Sequence, residues 1–231
     1  MPLPPLQIHP VTEPDLPALT RLFYAGFTTP TDRQMFPDTP GLRAWWAAAN
    51  RQDLEQKAGV RYLKVVDPGL CPAGAAAAPD AKEGDAAAAA AAADNDTSII
   101  AYGKWDLDPG HRGARFPEWH SDSDAALCEQ FFGGCEVVRR EVMGQRRGGY
   151  YYLDMLVTHP QHRRRGAATM LVRWGCELAD RTGMLVYIDS TRAGVPVYEP
   201  LGFVVVREDA EAELFSMVRE PGAASSDVRE G

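Results

Sequence analysis

An apolar strand that empties into a basic, glycine-containing turn leaves this chain few ways to fold. Tyr151, Tyr152, Leu153, Asp154, Met155, Leu156, Val157 and Thr158 are rich in aromatic and β-branched residues and read as a strand. His159-Pro160 ends it, because the residue before a proline is pushed away from helical geometry. The turn Arg163-Arg164-Arg165-Gly166-Ala167-Ala168 follows and opens a helix. The first amides of a helix lack intrahelical partners and its dipole adds partial positive charge, so a basic turn at that point is an anion site. The small side chains of Gly166, Ala167 and Ala168 let the backbone approach a phosphate closely.

The remaining chain supplies a sheet for that strand to join. Leu6 to His9 is a candidate first strand. Thr12 then offers an N-cap, and Leu16, Leu19, Leu22, Phe23 and Phe27 follow at helical spacing. A second helix is expected from Gly41 to Lys57, with Thr28 to Pro40 as a loop between the two. Strands are expected over Val60–Asp67 and Thr97–Trp105, and a helix over Asp122–Met143. After the central strand come a helix to Thr182, a strand Met184–Asp189, a short helix Ala193–Leu201, and strands near Phe203–Arg207 and Glu213–Arg219. Residues 6–220 read as a single domain with two insertions, an alanine-rich low-complexity stretch at 68–96 and a longer one at 106–149 carrying the helix. Residues 221–231 read as a disordered polar tail. The order is strand, two helices, strands, then strand-helix-strand-helix-strand-strand, and the fold class expected is α/β (α+β).

About thirty residues after the basic turn stands Tyr198-Glu199-Pro200-Leu201-Gly202-Phe203. With both pieces in view the chain resembles the Gcn5-related N-acetyltransferase (GNAT) superfamily, whose acetyl-CoA loop reads Q/R-x-x-G-x-G/A and whose later signature reads Y-x-x-x-G-F. Ala193 to Glu199 looks like small-molecule or uncharacterised fungal and actinobacterial members. The resemblance implies the acyltransferase fold, a mixed, mostly antiparallel sheet with helices on both faces, and acetyl-CoA as co-substrate, with Arg163, Arg164, Gly166, Ala167, Ala168 and Thr169 on the diphosphate. It implies that Leu156, Val157 and Thr158 present backbone to the pantetheine arm as an added strand would. Tyr198 matches the tyrosine assigned to the departing thiolate. Thr191 stands where many relatives carry a CoA-contacting asparagine.

Amine attack on a thioester needs a neutral amine, hence a base or a water path. Asp154 lies nine residues before Arg163, where histone-modifying members carry a glutamate base. It reads either as that base or as a structural aspartate bonded to a neighbouring strand. Asp189 reads as a cap for the helix after it, the other choice being a second carboxylate near parting strands. The acceptor pocket is expected from Phe27 to Trp46, Trp105 to Trp119, Phe131 and Phe132; tryptophans lining it would suit an aromatic amine, acidic lining from Asp122, Asp124 and Glu129 a cationic one, and the sequence leaves both open.

The function expected is acetyl transfer to a primary amine of a small molecule in a ternary complex. Alternatives are a catalytically silent acyl-CoA-binding module and an enzyme acting on protein amines. A net charge of -8 argues against a nucleic-acid partner, and 45% hydrophobic content suffices for one substantial core. G-x-G-x-x-G and G-x-x-x-x-G-K-S/T do not occur, which removes the Rossmann and P-loop readings. Cys71, Cys128, Cys135 and Cys176 form no C-x-x-C pair, and His111, His120, His159 and His162 have no ligand spacing, so no metal is expected. No run reaches the about 18 apolar residues that a membrane span needs. Met1-Pro2-Leu3-Pro4-Pro5 lacks the features of a signal peptide, so a cytoplasmic protein is expected, a homodimer being possible as among relatives.

Overall fold

The computed structural model describes residues 5–70, 97–110, 114–210 and 213–223. Its strands are β1 (Gln7–Pro10), β2 (Val60–Val66), β3 (Ile99–Asp106), β4 (Tyr150–Thr158), β5 (Leu185–Thr191), β6 (Val204–Asp209) and β7 (Leu214–Arg219). They form one sheet in the order β1-β2-β3-β4-β5-β7-β6. Only β4 and β5 run parallel. A parallel pair needs a crossover, and the helix opened by the basic turn supplies it.

The helices are α1 (Leu16–Gly26), α2 (Pro30–Met35), α3 (Pro40–Gln56), α4 (Ala125–Gly144), α5 (Ala167–Thr182) and α6 (Val195–Tyr198). On one face of the sheet, α5 buries Leu171, Val172, Cys176 and Ala179 against Leu63, Val65, Leu153, Val186 and Ile188. On the other face, α1 packs Leu16, Leu19 and Leu22 against Tyr62, Tyr102 and Val157. Further along that face, α3 and α4 enclose an aromatic cluster around Phe23, Phe36 and Trp46. Both faces are thus covered, and the sheet is mixed but mostly antiparallel, as the family resemblance implies. Among the described residues no helix is long and apolar enough to cross a membrane.

The expected strands and helices form, with shifts of a few residues at their ends. One expectation fails: Thr28 to Pro40 is not all loop, because α2 forms inside it. Thr29 caps that helix by accepting from the Asp32 amide at 3.1 Å, while Asp32 accepts from the Thr29 amide at 2.9 Å. This reciprocal box, with Pro30 at the first helical position, satisfies enough terminal amides to hold six residues helical. The alanine run and the residues after Ala223 lie outside the described residues.

One contact fixes the seat of α5. Gly175 faces the indole of Trp105, which is fully buried and donates through Nε1 to the Leu171 carbonyl at 3.3 Å. A Cβ at Gly175 would stand 2.2 Å from two ring carbons. The helix can therefore approach β3 this closely only with glycine there.

Candidate active site

β4 and β5 pair only from Tyr150–Leu153 to Leu185–Ile188. Beyond that point β4 follows β3 and β5 follows β7, so the two strands part at Asp154 and Asp189. A bulge in β4 marks the parting, since Lys104 pairs with Met155 and Trp105 with Leu153, leaving Asp154 as the extra residue. Asp154 and Met155 consequently face the same side, toward α3, while Leu156 returns to the α5 side. The edge of Leu156, Val157 and Thr158 that faces β5 carries no ladder pairing. Thr158 Oγ1 is buried there without a hydrogen-bond partner among the described residues. An open strand edge with an orphaned hydroxyl suits a ligand bearing amide groups.

The basic turn stands beside this wedge. Gly166 is the N-cap of α5 with φ +86°, and Arg164 shares the left-handed region at φ 62°. That geometry is the reason glycine is needed at 166, because a Cβ there would meet open space yet strain the backbone. The amides of Ala167, Ala168 and Thr169 are left without intrahelical partners. Arg163 and Arg164 are exposed, while Arg165 is turned away to pair with buried Asp67 at 2.8 Å. His159 is pushed below its ordinary value by burial and by neighbouring His162, Arg21 and Arg163.

Tyr198 ends α6 and lies in the same apolar cluster as Leu153, Leu171 and Ile188, on the α5 side of the wedge. Its ring meets Phe203 at 5.7 Å, and Gly202 at φ +89° reverses the chain between them. Burial pushes its phenol above the ordinary value, so it remains protonated at neutral pH. Thr191 is exposed at the end of β5, where its carbonyl accepts from Gly194.

The opposite side of the wedge holds a buried charge network. Asp154 Oδ2 lies 2.9 Å from Lys104 Nζ, and Oδ1 lies 2.5 Å from an Arg115 guanidinium nitrogen. Lys104 also meets Asp53 at 2.5 Å, and Asp53 meets Lys57 at 2.6 Å. Burial works against the charge on Arg115, and Asp154 together with Tyr152, Cys135 and Asp189 outweighs it, holding the guanidinium above its ordinary range. The Arg115 guanidinium stacks near Phe132 at 4.8 Å, Phe116 at 5.2 Å and Tyr152 at 5.7 Å. Between this network and Trp46 remains a cavity of about 10 Å³, lined by Asn50, Asp53, Lys104, Phe116, Asp154 and Met155.

Two expectations about this side change. Trp105 does not face the acceptor side, because alternation along β3 sends it to α5. Asp189 is not a helix cap: α6 begins at Gly194 with no side-chain cap, and Asp189 instead accepts from Tyr187 at 2.6 Å and Tyr152 at 3.3 Å. The three acids considered as acidic lining are each hydrogen-bonded within the fold. Asp122 holds Thr39, Asp124 caps α4, and Glu129 accepts from Trp119. Lys104, Asp53 and Arg115 escaped the sequence reading, although a lysine inside the apolar strand Ile99–Asp106 is as conspicuous as the aspartate inside β4. No group of three or more His, Cys, Asp or Glu among the described residues is placed to hold a metal ion.

Comparison with known proteins bears on this arrangement. The crystal structure of a histone acetyltransferase HPA2 and related acetyltransferase from Corynebacterium glutamicum superposes with a TM-score of 0.55 at 14% identity, over 96% of this chain and 99% of that one. An acetyltransferase from Thermus thermophilus superposes with a TM-score of 0.52 at 16% identity, over 95% and 99% of the two chains. These likenesses are of fold. No curated protein matches the sequence significantly. The profile of the acetyltransferase (GNAT) family matches residues 45–203, from α3 through the wedge and the basic turn to Phe203. Because that match spans well over half of the chain, this protein belongs to the GNAT family of acetyltransferases and is an acyltransferase.

Proposed function

We propose that the protein transfers the acetyl group of acetyl-CoA to a primary amine of a small molecule, directly, in a ternary complex. The observation that carries this reading is the wedge between β4 and β5, with the basic turn at the start of α5 on one side and the aromatic cluster of α3 and α4 on the other. Arg163, Arg164 and the amides from Gly166 to Thr169 would hold the diphosphate. The free edge at Leu156, Val157 and Thr158 would take the pantetheine amides, with Thr191 near the end of β5. When bound, acetyl-CoA supplies an activated thioester carbonyl. Tyr198, neutral and on the α5 side, would donate its proton to the leaving sulfur.

The acceptor side favours a small molecule over a polypeptide. Trp45, Trp46, Phe116, Trp119 and Phe132 stack on one another across α3, the 114–119 segment and α4. Rings clustered in this way would pack well against an aromatic amine. The test is thiol release from acetyl-CoA with tryptamine, spermidine and a tripeptide bearing a free α-amine, with the product verified by mass spectrometry. Faster turnover of tryptamine is expected. Acetylation of the tripeptide alone would overturn the small-molecule reading.

A further inference from the structure

Two carboxylates stand where β4 and β5 part, and their surroundings differ. The Asp154 side chain is 2% exposed, and each of its oxygens is held by a cation, Arg115 on one and Lys104 on the other. Asp189 is the first residue of β5 past the parallel pairing and keeps part of its surface open. Its hydrogen bonds come from phenols: Tyr187 Oη at 2.6 Å on Oδ1 and Tyr152 Oη at 3.3 Å on Oδ2. Tyr187 Oη also lies 3.0 Å from Ser216 Oγ on β7, which can donate to it while the phenol proton points at the carboxylate. The other charged or titratable groups acting at this point are Arg115, Arg139 of α4, which stacks on Tyr152 at 4.4 Å, and Cys135 of α4.

We propose that Asp189 is the proton acceptor for the incoming amine, and that Asp154 is the buried counter-ion that fixes Arg115 and Lys104. The inference rests on the acetyl-transfer reading above and assigns a residue within it. Burial holds the Asp189 carboxyl above the ordinary carboxylate range, while the Tyr187 hydrogen bond and the two guanidiniums pull it down. Two carboxylates in one site with contrasting environments divide into a proton carrier and a fixed charge. In the reaction, Asp189 takes one proton from the ammonium group of the acceptor. The neutral amine then forms the C–N bond to the acetyl carbon as the C–S bond breaks. The thiolate receives the Tyr198 proton, and Tyr198 recovers one from the newly acylated nitrogen. The three ammonium protons end on Asp189, on Tyr198 in place of the one it gave the thiol, and on the amide, and Asp189 releases its proton to water.

The test compares wild type with Asp189→Asn, using tryptamine and hydroxylamine as acceptors across pH. Hydroxylamine is weakly basic and largely unprotonated at neutral pH, so it needs no base. With tryptamine, kcat/KM of the variant near neutral pH should fall by about 10²–10⁴, and the deficit should close by about tenfold per pH unit as the amine sheds its own proton. With hydroxylamine the loss should stay below about tenfold, at unchanged acetyl-CoA affinity. Equal losses with both nucleophiles at every pH would overturn the proposal, as would a wild-type pH profile. Tyr187→Phe provides a second route should Asp189→Asn not fold. Removing a hydrogen bond that lowers the carboxyl should move the acid limb to higher pH, and an unmoved limb would overturn the assignment. A wild-type protein that binds acetyl-CoA but acylates neither nucleophile would refute acetyl transfer itself.

Discussion

Replacing Gly175 with alanine tests how α5 is seated, and with it the position of the anion-binding turn. In an open helix this change stabilises by about 1 kcal/mol through backbone propensity. Here the new Cβ would lie 2.2 Å from Trp105 Cη2 and Cζ2 and 2.6 Å from Cε2. Carbon atoms pack best at about 3.5–4.0 Å, so the helix or the indole must retreat by about 1.5 Å. The indole has little room to do so, being fully buried, hydrogen-bonded to Leu171 and flanked by Trp174 at 6.2 Å. Overpacking of this kind costs about 1–3 kcal/mol, and loss of the indole hydrogen bond about 1 more. The net expectation is a loss of about 2 kcal/mol, or a fall in Tm of about 4–8 °C for a chain of this size. Thermal unfolding by circular dichroism would measure it. Adding Trp105→Leu should remove most of the penalty that alanine brings, giving a coupling above about 1 kcal/mol in the double-mutant cycle. An unchanged or raised Tm for Gly175→Ala would refute the close-seating argument.

Three further outcomes follow from the same contacts. Asp154→Ala should lower stability by about 3–5 kcal/mol, since it leaves Arg115 buried without its carboxylate partner, while Lys104 keeps Asp53. A Tm within a degree of wild type would show that the network is dispensable. Tyr198→Phe should reduce kcat by about 10²-fold while leaving acetyl-CoA affinity nearly unchanged, and equal turnover would reject the acid role. The Asp180 carboxyl is held below its ordinary value chiefly by its hydrogen bond from Arg219. A depressed carboxyl stabilises the fold above its unfolded value, and that stability is lost as pH falls through the lower folded value. Asp180→Asn should therefore melt below wild type at pH 7, with the gap narrowing as pH falls below about 4. A gap that persists in acid would contradict the ion-pair account.

The portion of the fold legible in the sequence was the portion written in consecutive residues. The basic turn, Gly166 and the Tyr198-to-Phe203 signature each declare a backbone shape within a few positions, and the left-handed angles at Gly166 and Gly202 match that local demand. The reading of Thr28 to Pro40 failed because its prolines and threonines suit a loop and a helix start equally well. What decided was Asp32 standing three residues after Thr29. The partners of Asp154 were not legible, since Lys104 arrives through the β3 register and Arg115 from the connection beyond β3. Asp189 was misread for a related reason. A carboxylate followed by a short helix looks like a cap until the pairing of β5 with β7 carries its side chain toward Tyr187 and Tyr152.

Titration calorimetry of acetyl-CoA with the wild-type protein and with Gly166→Glu, at equal concentration and salt, addresses the wedge and its basic turn most directly. The glutamate would force a side chain into the left-handed N-cap and set a negative charge beside the orphan amides of α5. Wild type should bind acetyl-CoA, and the variant, folded by circular dichroism, should lose that binding. Equal affinity in both proteins would contradict the assignment of the diphosphate to this turn.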